Sequence, residues 1–342
     1  MKVNLKKISE ITGFSSATIS NALNHKRGVN EDTSKRIFEV AHKLGYIDEN
    51  RITKIKFVTY KKNGWIIDDS PYFSLMLDGV KKECRNLGYE MVVFTLDRKD
   101  EDYENQVKWL VNDTSSAVIL LGTELMDEDI TPFLNASCPI LSLDYYNSDM
   151  DFDGVLINNT DSAKMATEYL IEKGHLQIGY LRGSFRIKPF RSRAVGYTRA
   201  LKKKGIPYNR EYTVTLTPSM EGAYEDMIDY LKGNPKLPTA YFADNDMIAL
   251  GAMKALQEFH YKIPEDISLI GFDDLPFSDI ATPRLTTIRV SKQEIGELAV
   301  QRIHQMIKNK DKSKLKICVC TEFVERDSVK DRTKETTGYL QN

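Results

Sequence analysis

The chain has 342 residues, more than the about 250–300 at which one hydrophobic core stops growing, so we expect more than one domain. A formal net charge of −1 and 41% hydrophobic residues exclude a disordered or fibrous protein. No stretch approaches the roughly 18–20 apolar residues of a membrane span, and the N-terminus lacks the apolar core of a signal peptide. We therefore expect a cytoplasmic protein with no membrane partner.

The cysteines and histidines give no indication of a metal or cofactor site. Cys84, Cys138, Cys318 and Cys320 lack CxxC spacing, and the five histidines are scattered. Cys318 and Cys320 are expected to share one face of a strand. The motifs GxxxxGK[ST], GxSxG and HExxH are absent, so we predict a protein that is not an enzyme and that needs no cofactor and no metal.

The charge is distributed unevenly along the chain. Residues 1–45 contain eight lysines and arginines against four aspartates and glutamates, a net charge of +4. A compact basic module on a near-neutral body favours an anionic partner at one end, and nucleic acid is the usual one. A solvated charged surface would explain the same charge equally well.

Three short helices are predicted in this basic module. Apolar residues at helical spacing precede Gly13, which can end a helix in the left-handed conformation. Ser15 is a candidate N-cap for a second helix over 16–24. A third helix begins at Asn30 and ends at Gly45, with acidic residues in its first turn. Two short helices joined by a tight turn containing glycine are typical of a helix-turn-helix motif.

The second of these helices is suited to contact DNA. Small side chains let a helix lie deep in the major groove, hydroxyl groups reach phosphates, and an asparagine amide can pair with adenine. The outward face of this helix carries only such residues: Ser16, Ala17, Thr18, Ser20 and Asn21.

At this point the sequence resembles a known family. The segment LKKISEITGFSSATISNALNHKRGVNEDTSKRIFEVAHKLGY is similar to the DNA-binding domain of lactose-repressor-type (LacI/GalR) regulators, across all three helices and their turns. The resemblance implies that Ser16, Ala17 and Asn21 read bases. It places four other residues against phosphate: Ser15, Thr18, Ser20 and Asn24. Thr18 and Ser20 could instead be capping or solvent-facing residues.

The segment after the third helix departs from the family pattern. Family members usually continue with a Pro-Asn segment and an Ala- and Leu-rich hinge helix that inserts a leucine into the minor groove. Here GYIDENRITKIKFVTY leads almost directly into an apolar strand, so we predict that the hinge helix is missing or much shortened. A leucine wedge in the minor groove kinks the duplex. Without a full hinge helix to supply that wedge, we expect the operator to bend little.

From residue 55 onward, short apolar strands alternate with amphipathic helices, a pattern that predicts parallel sheets flanked by helices. The pattern restarts after GVLINN, and the late strand ICVCTEF is expected to cross back between the lobes. We predict an α/β fold class: an all-α helix-turn-helix domain plus a two-lobed periplasmic-binding-protein-like effector domain. The predicted boundaries are 1–48 for the DNA-binding domain, 49–54 for a linker, 55–331 for the effector domain (lobe 1: 55–158 and 289–318; lobe 2: 159–288 and 319–331) and 332–342 for a tail.

Ligands of open α/β sheets bind at the carboxyl ends of strands, so the residues after each strand are candidates for a site between the lobes. They are Asp144, Arg182, Asp244, Asn245, Asp246 and Asp273. Carboxylates and amides that face one cleft suit a polyhydroxylated ligand, although each could equally cap the following helix. The family resemblance continues through RSRAVGYTRAL, ADNDMIALGAMKAL and SLIGFDDLPFSDI. It implies effector-binding roles for Arg193, Asn245, Asp246 and Asp273, with Asp144 lining the cleft from the first lobe.

Aromatic residues are a second indication of a sugar ligand, because sugars stack their apolar faces on rings. Six rings are expected in loops near the cleft, with the hydrophobic core as the alternative location: Tyr72, Phe73, Tyr145, Tyr146, Phe185 and Phe190. Of these, we take Tyr72, Phe73 and Phe190 as candidate effector contacts. The basic loop over 182–193 could favour an acidic or phosphorylated effector, and simple solvation of the loop explains it equally well.

Together these features predict a transcriptional repressor that binds an inverted-repeat operator in double-stranded DNA. A small molecule, a carbohydrate or sugar phosphate, is expected to control its operator affinity. The tail shows no leucine heptads, so we expect a homodimer rather than a coiled-coil tetramer. The alternative is a cytoplasmic sugar-binding protein without regulatory DNA binding.

Overall fold

The computed structural model describes residues 4–23, 29–44, 52–68, 70–309 and 313–334. The N-terminal domain contains α1 (Leu5–Thr12), α2 (Ser16–Leu23) and α3 (Glu31–Lys43). Their apolar faces meet in a small core formed by Ile8, Ile19, Ala22, Ile37 and Ala41. The predicted helix-turn-helix arrangement is confirmed.

Local capping sets the helix boundaries of this domain. Ser15 Oγ accepts a hydrogen bond from the Thr18 N–H at 3.1 Å, and Asn30 Oδ1 accepts one from the Thr33 N–H at 2.7 Å. The first helix ends at Gly13, whose φ of 76° is the left-handed conformation that glycine adopts at low cost. The predicted N-cap at Ser15 is therefore confirmed, and Asn30, where the third helix was predicted to begin, caps that helix. The predictions for Asn24, for the hinge within 45–51 and for the tail beyond 334 lie outside the described residues.

The first lobe is built on a parallel sheet. Its strands are β1 (Lys54–Lys61), β2 (Glu90–Asp97), β3 (Ser116–Leu121), β4 (Ile140–Leu143), β5 (Asp153–Ile157) and β11 (Lys316–Val319). They run in the order β11-β5-β4-β3-β1-β2. The accompanying helices are α4 (Tyr72–Leu87), α5 (Tyr103–Asn112), α6 (Asp127–Leu134) and α12 (Lys292–Asn309). Every residue of β3 is buried, which is why its sequence SAVILL is a continuous apolar run after one serine.

The second lobe repeats this architecture with a four-stranded parallel sheet. Its strands are β6 (Ile178–Gly183), β7 (Thr213–Leu216), β8 (Ala240–Ala243) and β9 (Ser268–Ile270), and its helices are α7 (Asn159–Glu172), α8 (Lys188–Lys203), α9 (Met220–Lys232), α10 (Asp246–Glu258) and α11 (Pro276–Ile280). The strand order is β7-β6-β8-β9. The predicted α/β class with two lobes in series is confirmed.

The chain returns between the lobes near its C-terminal end. β10 (Thr287–Arg289) pairs antiparallel with β12 (Glu322–Val324), and the Ser328 hydroxyl beyond β12 donates to the Leu269 carbonyl at 2.6 Å. The predicted return to the second lobe is confirmed. The single strand predicted for ICVCTEF is wrong, because β11 ends before Cys320. The segment must leave the first sheet to reach β10, so Cys318 and Cys320 do not share a strand.

A buried ion pair ties α12 to the sheet of the first lobe. Arg302 donates to Asp153 Oδ1 through Nε at 2.9 Å and through Nη2 at 2.7 Å, and both side chains are 1% exposed. None of the helices within the described ranges is both long and apolar enough to cross a membrane. The same ranges hold no group of three or more His, Cys, Asp or Glu residues placed to bind a metal ion.

Candidate functional site

A small cavity lies between the two lobes. It is positioned at the carboxyl ends of β3, β4, β8 and β9, where ligands of open α/β sheets bind. The first lobe supplies one wall and the second lobe the other. The lining residues are Ile66, Ser70, Tyr72, Phe73, Thr123, Asp144, Ile187, Pro189, Phe190, Arg193, Asn245 and Asp273.

Arg193 occupies the centre of this site. It projects from α8 and is 3% exposed. Its Nε donates to Asn159 Oδ1 at 2.9 Å, Nη1 donates to the Asp244 backbone carbonyl at 2.5 Å, and Nη2 lies 3.4 Å from Asp273 Oδ1. The guanidinium carbon is 3.6 Å from the centroid of the Phe272 ring. A planar cation held by so many groups is oriented before any ligand arrives.

Asp144 faces Arg193 from the first lobe with one oxygen unsatisfied. Its Oδ2 accepts a hydrogen bond from the Thr123 hydroxyl at 2.9 Å. Its Oδ1 is buried and has no hydrogen-bond partner among the described residues, and the same holds for the Tyr72 hydroxyl. Buried polar groups are normally paired, so these two atoms favour a ligand that supplies hydrogen-bonding groups of its own.

The two carboxylates nearest the arginine sit on unusual backbone. Asp144 has φ 59° and Asp273 has φ 115°, a region that costs a residue with a Cβ on the order of 1–3 kcal/mol. Such strain persists where the surrounding structure holds it in place, and it concentrates at functional sites. Each lobe therefore presents strained backbone after a strand, at Asp144 in the first lobe and at Asp273 and its neighbour Asp274 in the second.

Burial raises the pKa of Asp144 to about 7, with Arg193 opposing the rise and Asp273 adding to it. A carboxyl whose folded-state pKa is raised contributes stability below its unfolded pKa and loses that contribution as pH rises through the folded value. We expect Asp144→Asn to remove this loss of stability. The melting temperature of the variant minus that of the wild type should therefore increase from pH 4 to pH 8. Melting curves across that range measure it.

The control for this pH prediction is Asp151→Asn, which changes an exposed aspartate of the same lobe. Its melting temperature should follow the wild type at every pH. A constant difference between Asp144→Asn and wild type from pH 4 to pH 8 would show that Asp144 does not titrate in this window.

Asp273 is also held by Lys292, the first residue of α12, a cation that the sequence analysis did not identify. Lys292 Nζ donates to the backbone carbonyls of Asp273 and Asp274, and burial lowers the pKa of this lysine. Burial also raises the pKa of Asp273, against the opposing charges of Arg193 and Lys292. Asn159, which binds Arg193, was missed as well, although it follows β5 and the same end-of-strand rule could have found it.

Asp246 is not among the residues that line this cavity, and its predicted effector contact stays a prediction. Its side chain is fully buried in the second lobe and accepts hydrogen bonds from the Leu275 N–H at 2.8 Å, the Ser278 hydroxyl at 2.7 Å and the Thr287 hydroxyl at 2.6 Å. These contacts join α10 to the loop after β9 and to β10. These hydrogen bonds give Asp246 a structural role in the second lobe.

The position of Asn245 after a strand left two roles open, a place in the effector site and a helix cap, and Asn245 meets the geometric requirement of both. It lines the cavity, while its Oδ1 accepts a hydrogen bond from the Ile248 N–H at 3.0 Å and so caps α10. Its contact with an effector stays a prediction, as do those of Asp144, Arg193 and Asp273.

The candidate rings reach the cavity from helices rather than from loops. Tyr72 and Phe73 begin α4, and Phe190 lies in the first turn of α8, so the predicted loop location is wrong for all three. Because α4 begins at Tyr72 and α8 at Lys188, the three rings lie in the first turns of these helices. Tyr145 belongs instead to the core of the first lobe, where its hydroxyl donates to Asp127 Oδ1 at 2.8 Å.

The basic loop of the second lobe has its nearest cations already paired. Arg186 forms an ion pair with the buried Asp244, and Lys188 Nζ lies 2.6 Å from Asp127 Oδ1. Arg182 is exposed and does not line the cavity. These pairings leave the loop less suited to bind an anion than its composition indicates.

The candidate DNA-contacting residues share the surface of α2. Ser15, Ser16 and Ala17 are exposed, and Thr18, Ser20 and Asn21 are half-buried. The hydroxyls of Ser15 and Thr18 lie 2.9 Å apart, so the capping alternative applies to this pair in the free protein. Ser16, Ala17 and Asn21 stay available on the outer face, and their contacts with bases remain predictions.

The fold and the cavity define a class: a two-lobed binding domain of the periplasmic binding protein type, preceded by a helix-turn-helix domain. Two family models match the corresponding parts of the chain. The model described as "Bacterial regulatory proteins, lacI family" matches residues 4–49, and the one described as "Periplasmic binding protein-like domain" matches residues 167–329.

Relatives and solved structures agree with this class. The chain is 30% identical over 306 residues to the HTH-type transcriptional repressor PurR of Actinobacillus pleuropneumoniae serotype 3 (strain JL03), covering 89% of this chain and 91% of the relative. It is 29% identical over 331 residues to PurR of Pasteurella multocida (strain Pm70), covering 96% and 99%. The fold is similar to that of the lac repressor dimer bound to operator and the anti-inducer ONPF, with a TM-score of 0.73, 23% identity and coverage of 96% and 100%.

The chain belongs to the LacI family of bacterial regulatory proteins. It is a DNA-binding transcriptional regulator, and the prediction of a regulator rather than an enzyme is confirmed by these relatives. The resemblance found in the sequence thus identified the correct family.

Proposed function

We propose that this protein is a repressor that binds an inverted-repeat operator as a homodimer, and that a neutral sugar bound between the lobes releases it. The single observation that carries the proposal is the interlobe cavity, where the buried Asp144 Oδ1 and Tyr72 hydroxyl have no hydrogen-bond partner among the described residues and lie beside a fixed arginine. The same chain carries a helix-turn-helix face. We place its action in the cytoplasm, where an operator is accessible.

The choice of a neutral sugar rests on the chemistry of the lining. Asp144 and Asp273 can accept from ligand hydroxyls, Arg193 can donate to them, and the rings of Tyr72 and Phe190 offer stacking faces. Two carboxylates in the cavity, with Arg186 and Lys188 already paired, disfavour a phosphate group. In the same fold, the regulator CelR has been solved as a complex with cellobiose, with a TM-score of 0.73 and 22% identity.

Titration of the full-length protein with neutral sugars, sugar phosphates and nucleobases tests this choice. Calorimetry should detect binding of at least one neutral sugar and no preference for its phosphate. Tighter binding of a phosphorylated sugar or of a planar base would overturn the proposed ligand class.

Operator recognition is tested by selecting tight binders from random duplex DNA at a stated salt concentration, because phosphate contacts make affinity salt-dependent. Enrichment of an inverted repeat is expected for a dimer with two-fold symmetry. Asn21→Ala should weaken binding to the selected site by about 1–3 kcal/mol, the worth of a good base contact. Asn112→Ala, an exposed asparagine of the first lobe, is the matched control and should bind as wild type.

The coupling between sugar and operator follows from linkage. If the sugar lowers operator affinity by some factor, operator must lower sugar affinity by the same factor. Measuring sugar affinity with and without the selected operator tests this directly. Equal affinities would exclude the proposed coupling, while a higher sugar affinity on operator would mean that the sugar acts as a corepressor.

We propose that two copies associate through a groove of the second lobe formed by α9, α10 and α11. Phe277 in this groove is 40% exposed, and Ile280 on the same short helix is 77% exposed. The groove also carries Glu221, Glu225 and Lys254, so a two-fold axis can pair these opposite charges between copies. An exposed apolar patch rimmed by charges is typical of an association surface.

Ile280→Glu is expected to convert the dimer into a monomer, because it buries a charge at the centre of the proposed contact. Light scattering at micromolar concentration measures the mass. Leu176→Glu places the same charge on an exposed leucine of this lobe outside the groove and should leave the dimer intact. A dimeric Ile280→Glu protein would place the interface elsewhere.

A further inference from the structure

The loop between β1 and α4 extends from the first lobe to the second. Its residue Ile66 is 5% exposed and packs in the hydrophobic cluster that contains Leu181, Ile187 and Phe190. Apart from Ile66, the buried members of that cluster lie between Leu181 and Leu285, all in the second lobe. Ile66 also lines the interlobe cavity. One side chain of the first lobe is therefore inserted into the core of the other.

The anchor of this loop in the first lobe is a buried carboxylate. Glu124 follows β3 and is fully buried. Its two oxygens accept hydrogen bonds from backbone N–H groups at distances from 2.8 to 3.4 Å. The donors are Lys62, Asn63, Gly64, Ile66 and Ile67. A carboxylate bound by successive N–H groups makes charge-assisted hydrogen bonds, which are stronger than neutral ones.

The turn that wraps Glu124 is tight. Gly64 has φ 82°, and a Cβ there would meet the side chains of Asp68 and Lys61 at 2.4 Å. Lys62 adds a second attachment through Nζ, 2.9 Å from Asp129 Oδ2. The backbone geometry leaves Ile66 pointing away from its own lobe, toward the second-lobe cluster.

We propose that residues 62–68 form a latch that holds the two lobes closed over the cavity, and that Glu124 is the positioning residue that orders the latch. That the latch closes over a bound effector rests on the proposed function. Opening the cleft must withdraw Ile66 from an apolar cluster, so the latch stabilises the closed state. Glu124 contributes by keeping the loop in the conformation that presents Ile66.

Hydrogen exchange of the full-length protein, followed by mass spectrometry, tests the anchor without any ligand. In Glu124→Gln and Glu124→Ala, the amides of residues 62–67 should exchange at least about tenfold faster than in wild type, because hydrogen bonds to a charged group are lost. Glu128→Gln is the matched control: Glu128 contacts only the side chain of Lys62 in this loop and is 71% exposed. Unchanged exchange in both Glu124 variants would overturn the role of Glu124.

Ile66→Ala tests the contact of Ile66 with the second lobe and keeps Glu124 intact. The proposal therefore stays testable if a Glu124 variant fails to fold. The amides around Ile187 and Phe190, in the other lobe, should then exchange several-fold faster than in wild type, while those of α10 stay protected. Exchange around Ile187 equal to wild type would overturn the latch. Since neither readout needs a ligand, failure of every sugar to bind would contradict the proposed function and leave the latch standing.

Discussion

Replacing Arg193 by alanine is expected to lower effector affinity by at least about a hundredfold, since each hydrogen bond to a charged group contributes about 1.5–3 kcal/mol. The side chain joins Asn159 and Asp273 across the cavity, so the orientation of the remaining groups is lost with it. Operator binding by the N-terminal domain should persist. Calorimetry with a sugar that binds the wild type, and fluorescence anisotropy with the selected operator, measure the two quantities separately.

Arg193→Ala should also destabilise the fold, because removing one partner of a buried ion pair costs about 3–5 kcal/mol. The double variant Arg193→Ala, Asp273→Asn removes the uncompensated charge and should recover part of that stability without recovering effector affinity. This separates a binding role from a structural one. If the double variant regains wild-type affinity, Arg193 does not contact the effector. The single variant could also lose operator binding at a temperature where it is folded. That result would assign Arg193 to the coupling between the effector site and the DNA-binding domain.

Replacing Asp246 by alanine is expected to reduce the free energy of unfolding by about 3 kcal/mol or more, since buried donors left without an acceptor each cost about 1–3 kcal/mol. Those donors are the Leu275 N–H and the hydroxyls of Ser278 and Thr287. Urea denaturation measures the change. Effector affinity of the folded variant should stay within a few-fold of wild type, because Asp246 does not line the cavity.

Asp266→Ala is the matched control for this prediction. Asp266 is an exposed aspartate of the same lobe that accepts one hydrogen bond, from the Lys262 N–H at 2.8 Å. Its loss should cost less than about 1 kcal/mol. A stable Asp246→Ala protein that no longer binds any effector would restore the role implied by the family resemblance.

The candidate effector residues occupy different places in the structure, and the reason is geometric. Asp144 and Asp246 both follow a strand of a parallel sheet, so the end-of-strand rule treats them alike. Asp144 turns toward the cavity on left-handed backbone, whereas Asp246 is the first residue of α10 and turns into its own lobe. Asp144 is the first residue after its strand and Asp246 is the third. This two-residue difference decides between the two directions, and sequence spacing does not resolve it.

The latch could not be predicted from the sequence at all. Glu124 binds amides 57 to 62 positions earlier in the chain, and a lone glutamate after a strand resembles a capping or solvated residue. Ile66 lies in a segment, KKNGWIIDDS, whose composition indicates a turn with three apolar residues. That one of them inserts into the other lobe depends on how the lobes are placed.

Local structure was predictable from the sequence alone: the cap at Ser15, the start of the third helix at Asn30, the end of the first helix at Gly13, the alternation of strands and helices, and the family. These depend on interactions within a few residues, where backbone conformation and apolar periodicity are sufficient. The tertiary structure alone decided which buried carboxylates face the cavity, that Arg186 and Lys188 are already paired, and that Ile66 joins the lobes. Those outcomes depend on which distant groups meet in the folded chain, since burial and charge pairing are properties of the three-dimensional neighbourhood.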